Sequence, residues 1–237
     1  MKITHALIAL LTLGSGLTSS LLGQEKELIN ALTKIEAKGE GNNKAVNAWP
    51  VVRKLDASSV PKLLEAMNKA NDLGDNWIRS AISEIIGRDK SNLPVKKILA
   101  YLQDDKNTGS SRKLAFELIH EHQPELARSL TPKFIDDREP TLRRLAVEKL
   151  LETARETEEP LNSKALFEKV LSKGREVDQI KEAKEALEQT GQEIDVQTLM
   201  GFLVDWHTIG PFDNTERQGF GVEHPPEKKI DLRASYN

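Results

Sequence analysis

Histidine is the side chain in this sequence best suited to metal or proton chemistry, because imidazole titrates near neutral pH and ligates metals. The five histidines are His5, His120, His122, His207 and His224. In "HEH" (120–122) two imidazoles stand two residues apart, which on a helix sets them about 200° apart and prevents them from sharing one ion. The zinc-protease pattern HExxH, the nucleophile elbow GxSxG and a glycine-rich phosphate loop do not occur. "GEGNNK" (39–44) has the glycines but no strand before it, so it reads as a turn. Carboxylates cluster in "EHQPE" (121–125) and "ETEEP" (156–160). They can do acid–base work only where burial separates their pKa values, and both fall in expected connections between helices. The spacing of a calcium-binding EF-hand loop is missing. With no cysteine, disulfides, thiolate nucleophiles, cysteine-ligated zinc and a covalently attached c-type haem are excluded within this chain. The residues predict no catalytic centre, no metal site and no cofactor.

The elements that carry these residues are helical. Pro61, Pro94, Pro124 and Pro160 lie 33, 30 and 36 residues apart, and each opens an amphipathic stretch, as in "PKLLEAMNK" and "PVKKILAYLQ". Proline suits the first position of a helix, where its missing N–H has no intrahelical partner. Some 20 to 23 residues after each proline comes an alanine within a second amphipathic stretch: Ala81, Ala115, Ala146 and Ala183. A small residue there lets neighbouring helices approach closely. Two helices per 30–37 residues, repeated, describe an α-solenoid.

A polar series runs in the same register: Asp72 precedes Arg79, Asp105 precedes Arg112 and Asp136 precedes Arg143, each by seven residues. A turn aspartate can accept from the N–H groups opening the next helix. The arginine can reach back to it or across to the neighbouring unit's aspartate, which predicts a ladder along the stack. "DDREPTLRRLAVEKLL" (136–151) resembles the second helix of a HEAT repeat, and "DNWIRSAISEIIGR" (75–88) and "GSSRKLAFELIHEH" (109–122) are similar to it. The resemblance covers roughly residues 45–204. It departs from the pattern at the last unit, where Gly174 and Lys181 replace the aspartate and arginine, and at the first, where Pro50 interrupts "AVNAWPVVRKL". The expected fold is all-α, a solenoid of about four to five HEAT-like helix pairs over 24–204, with "EKELINALTKIEAKG" (25–39) as a capping helix. An irregular helical bundle is the alternative.

Composition agrees with such a chain. Of 237 residues, 38% are hydrophobic and 30% charged, with 5% aromatic, and the formal charge is −3. That balance provides no drive toward nucleic acid or anionic lipid. At the N-terminus, Lys2 precedes an apolar run from Ile3 to Leu13, then small residues, then charge. This is the order of a secretory signal peptide over 1–23, with cleavage near Ser20 or Gly23. Gly14, Ser15 and Gly16 break the run well short of the ~20 apolar residues a membrane span needs. The mature chain is expected to be exported, periplasmic or extracellular, with no stable membrane anchor.

Past Leu203 the pattern changes. "DWHTIGPF" alternates, turns at Gly210-Pro211, and "KKIDLRASY" fits a second strand. The stretch from Trp206 through Gly210, Pro211, Phe212 and Asn214 to Tyr236 is similar to a segment of large secreted proteins of planctomycetes and verrucomicrobia. That resemblance implies a β-sandwich-like module opening over 205–237, in some proteins ahead of a haem-binding cytochrome segment. Trp206, Phe212 and Phe220 suit a sandwich core or, more weakly, a carbohydrate surface.

A solenoid's second helices line a groove. Arg79, Glu84, Lys113, Glu117, Arg144 and Glu148 are its expected exposed positions. The expectation is a non-catalytic scaffold that binds a protein or peptide through a polar, salt-sensitive surface. The alternative is the N-terminal part of a larger secreted enzyme or haem-binding redox protein.

Overall fold

The computed structural model describes residues 21–231 and 233, which form helices, 3-10 turns and loops, with no strand among them. Within the leader expected over 1–23, residues 21–23 are helical, and the rest lies outside the described residues. Helix α1 covers 21–32. Its buried face is set by Leu28 and Leu32, with Ile35 just beyond its end. The chain then turns at Gly41, whose φ of 84° and close approach to the Lys34 carbonyl leave no room for a Cβ. Helix α2 (Asn42–Ala48) runs on into a 3-10 turn, Trp49–Lys54, with Pro50 in that turn's opening positions. Proline can start such a turn although it cannot continue α2. The capping segment expected over 25–39 is therefore α1 plus a short 3-10 turn, Ala37–Gly39.

The helices that follow come in pairs. Helix α3 (Val60–Met67) packs on α4 (Asp72–Asp89), and α5 (Val95–Gln103) on α6 (Gly109–His122). Helix α7 (Pro124–Leu130) ends in a 3-10 turn, Thr131–Phe134, that packs on α8 (Pro140–Glu156). Helix α9 (Pro160–Lys173) packs against α8, and α10 (Val177–Glu188) follows it. The four periodic prolines all stand at helix starts. Pro61 is in the opening positions of α3, Pro94 is the residue before α5, and Pro124 and Pro160 are the first residues of α7 and α9.

Ala81, Ala115, Ala146 and Ala183 lie on α4, α6, α8 and α10 and are at most 2% exposed. The small side chain is what lets the facing helix come close, since interior packing leaves no slack. A continuous core runs from Leu28 through Ile82, Ile98 and Ile119 to Ala146. Two aromatic contacts brace it: Trp49 against Trp77, edge to face at 5.4 Å, and Phe116 against Phe134 at 5.6 Å. Edge-to-face geometry suits the ring quadrupoles.

Polar side chains tie each pair to the next. The Asn71 amide donates to Ile35 O at 2.8 Å, the Tyr101 hydroxyl to Leu64 O at 2.8 Å, and Gln179 Nε2 to Arg144 O at 3.0 Å. Such cross-links join residues 25 to 43 positions apart, about the length of one helix pair.

The chain divides into two compact units, Met1–Ala183 and Lys184–Asn237. In the second, after the end of α10, the helical elements are one-turn α11 (Val196–Leu199), a 3-10 turn Thr215–Gly221 and one-turn α12 (Pro225–Lys228). The paired strands expected past 205 are not present among the described residues: 202–214 carry neither helix nor strand, and Lys228 belongs to α12. Two short strands without a sheet to join are marginal in water. Leu232 and 234–237, the end of the second expected strand, lie outside the described residues.

Candidate functional site

The candidate surface is carried by α4, α6, α8 and the part of α10 up to Ala183. Ion pairs join two of its three successive helix neighbours. Between α4 and α6, Arg79 Nη1 lies 3.7 Å from Glu117 Oε2, and Lys90, just past α4, pairs with Glu121 at 2.8 Å. Between α8 and α10, Arg144 holds the Asp178 carboxylate through both Nη atoms and lies 3.8 Å from Glu176, while Arg155 bridges Glu148 and Glu182 at 3.0 and 2.6 Å. The Arg144 fork lowers the Asp178 pKa to about 2, as expected for a carboxylate that accepts twice from a guanidinium.

No ion pair joins α6 to α8 among the described residues. A cleft of about 550 Å³ opens there. Phe116 and Leu142, both buried, line it, together with Leu145, which is 39% exposed. Its rim carries Lys113, Glu117 and His120 from α6 and Glu148, Lys149 and Glu152 from α8. Its charges are neutralised within the chain, Lys149 by Glu152 at 2.7 Å and Glu148 by Arg155. An apolar interior with an internally balanced rim is suited to receiving an apolar side chain from a partner.

At the N-terminal end of this cleft α6 is pinned to the turn that precedes α8 by the most buried ion pair among the described residues. Arg112 on α6 is 5% exposed. It donates from Nη1 and Nη2 to Asp137 at 2.8 and 2.6 Å, and from Nε to Leu102 O at 2.8 Å. Asp137 also accepts from the Glu139 N–H at 2.9 Å, and its backbone carbonyl accepts from Arg143 at 2.8 Å. Burial works against the Asp137 carboxylate, but the Arg112 fork, the Glu139 N–H and nearby Arg143 hold its pKa below the ordinary value.

The expected ladder is thus differently wired. No hydrogen bond or ion pair joins Asp72 to Arg79, Asp105 to Arg112 or Asp136 to Arg143 among the described residues. Asp72 is exposed in the first turn of α4, which is capped by Asn71 Oδ1 accepting from Leu73 and Gly74 N–H. Asp105 is exposed in its turn. Asp136 points outward and takes Lys173 of α9 at 2.8 Å. Arg79 donates to Ser110 O at 2.9 Å, and Arg143 to the Asp137 carbonyl. Of these three arginines, Arg112 makes an aspartate contact beyond its own helix pair, and its partner is Asp137, one residue past the expected position. In "DD" at 136–137 the side chains diverge: that of Asp137 is 9% exposed, that of Asp136 68%.

Of the expected groove residues, Lys113, Glu117 and Glu148 line the cleft, and Arg144 does not, being committed to α10. Glu84 meets Arg53 at 3.9 Å. His120 lies at the rim beside Phe116, ring centroids 6.2 Å apart. His122 places Nδ1 2.8 Å from Leu118 O, which puts the imidazole proton on Nδ1. No cluster of three or more potential metal ligands occurs among the described residues.

Of the tail residues, Trp206 is 73% exposed, with Nε1 donating to Leu203 O at 2.7 Å. Gly210 precedes a cis peptide to Pro211, Phe212 stacks on His224 at 4.5 Å, and Asn214 precedes the 3-10 turn Thr215–Gly221. No helix among the described residues is long and apolar enough to cross a membrane.

No family model matches this sequence, and no curated protein and no solved structure matches it. Over its described residues the chain is predominantly helical, which places it in the all-α class.

Proposed function

We propose that this is an exported HEAT-like solenoid whose second-helix face binds a protein or peptide, acting as a scaffold with no chemistry of its own. The observation that carries this reading is the cleft between α6 and α8, where among the described residues no ion pair runs from one helix to the other and where Leu145 stands 39% exposed. The stacking of units is supported by cross-links spanning 25 to 43 residues, one unit's length, since solenoid repeats contact only their neighbours. Export rests on the order of charge, apolar run and small residues in 1–23.

Site-specific photocrosslinking tests the docking face. A photoreactive residue at 145 in the native host is expected to give a discrete protein adduct, and the same residue at exposed Glu168 on α9 is not. Equal adducts at both positions, or none at 145, contradict the proposal.

A second reading is favoured by the tail, where Phe202, Leu203, Trp206, Phe220 and Ile230 are all more than 60% exposed. Apolar side chains so placed suit the first part of a larger module, so a longer secreted enzyme or redox protein would contain this chain as its N-terminal part. The DNA beyond codon 237 decides: an in-frame continuation encoding strands supports this reading, and a stop followed by unrelated sequence removes it.

A further inference from the structure

We draw no further inference here: the strongest candidate, the groove between α1 and α3 where buried Glu25 pairs with Lys62 and leaves its Oε1 without a donor, carries nothing because that oxygen is sealed from solvent and the lysines around it are exposed side chains that single out no ligand.

Discussion

Arg112 and Asp137 show how much one buried pair can hold. The guanidinium spends its donors on Asp137 and on Leu102 O, so removing either partner strands the other charge in a site largely closed to water. Asp137→Ala is therefore expected to lower unfolding stability by about 3 kcal/mol, read from urea denaturation. The folded pKa of Asp137 lies below its ordinary value, so its contribution is complete above the unfolded carboxylate pKa of about 4 and fades as pH falls through the folded pKa. The stability gap between wild type and Asp137→Ala should accordingly be widest near neutrality and close below that window; a gap independent of pH would contradict the assignment. Asp75 has the opposite sign. Burial raises its pKa against the opposing pull of Ser110 and Arg79, and its Oδ1 is buried without a donor. The charged form is the disfavoured one, so wild type gains stability as pH falls through the raised folded pKa. Asp75→Asn keeps an acceptor for Ser110 and removes the charge, so it should raise the melting temperature at pH 7, and the difference should vanish in acid.

At the scale of elements, the small residues and the exposed ones call for different experiments. Ala115 is fully buried on α6, and enlarging it to Leu forces neighbouring helices apart, at a cost of about 1–3 kcal/mol in chemical denaturation. Leu145 is partly exposed, and Leu145→Glu should leave stability within about 0.5 kcal/mol while abolishing the proposed partner contact. These elements were the legible part of the sequence. Proline at helix starts and alanine at buried positions follow from local sterics, so the places of Pro61, Pro124, Pro160 and the four alanines are legible in the sequence. The wiring of the polar groups could not. Whether Asp136 or Asp137 meets Arg112 depends on which way a two-residue turn faces, and a doublet of identical residues carries no signal for that. The cleft was equally hidden, because its walls come from residues on two helices, Phe116 on α6 and Leu142 and Leu145 on α8, that lie more than 25 positions apart. A polar, salt-sensitive groove was expected from Lys113, Glu117, Arg144 and Glu148, but Arg144 is committed to α10 and the space between α6 and α8 has an apolar interior. The expected strands of the tail rested on alternation, which is ambiguous in short segments, and on the resemblance of 205–236 to the opening of a β-sandwich-like module.

For the whole molecule, the two units should differ in resistance to attack. Residues 197–208 are almost all exposed, and among the described residues the second unit has after α10 only two single-turn α-helices and the 3-10 segment Thr215–Gly221, so limited proteolysis should cut first between 189 and 231 and leave a stable fragment ending near Glu188 by intact mass. The proposed solenoid makes a sharper demand. In a stack of units coupled only to their neighbours, damage at one junction spreads a short way along the chain, whereas a single cooperative bundle loosens throughout. The decisive measurement is native-state hydrogen exchange on Asp137→Ala, compared with wild type segment by segment. Protection is predicted to fall in α6, α7 and α8 and to stay unchanged in α1 and α3; an equal fall over the whole of 21–183 would contradict the stacked architecture and, with it, the groove on which the proposed binding role depends.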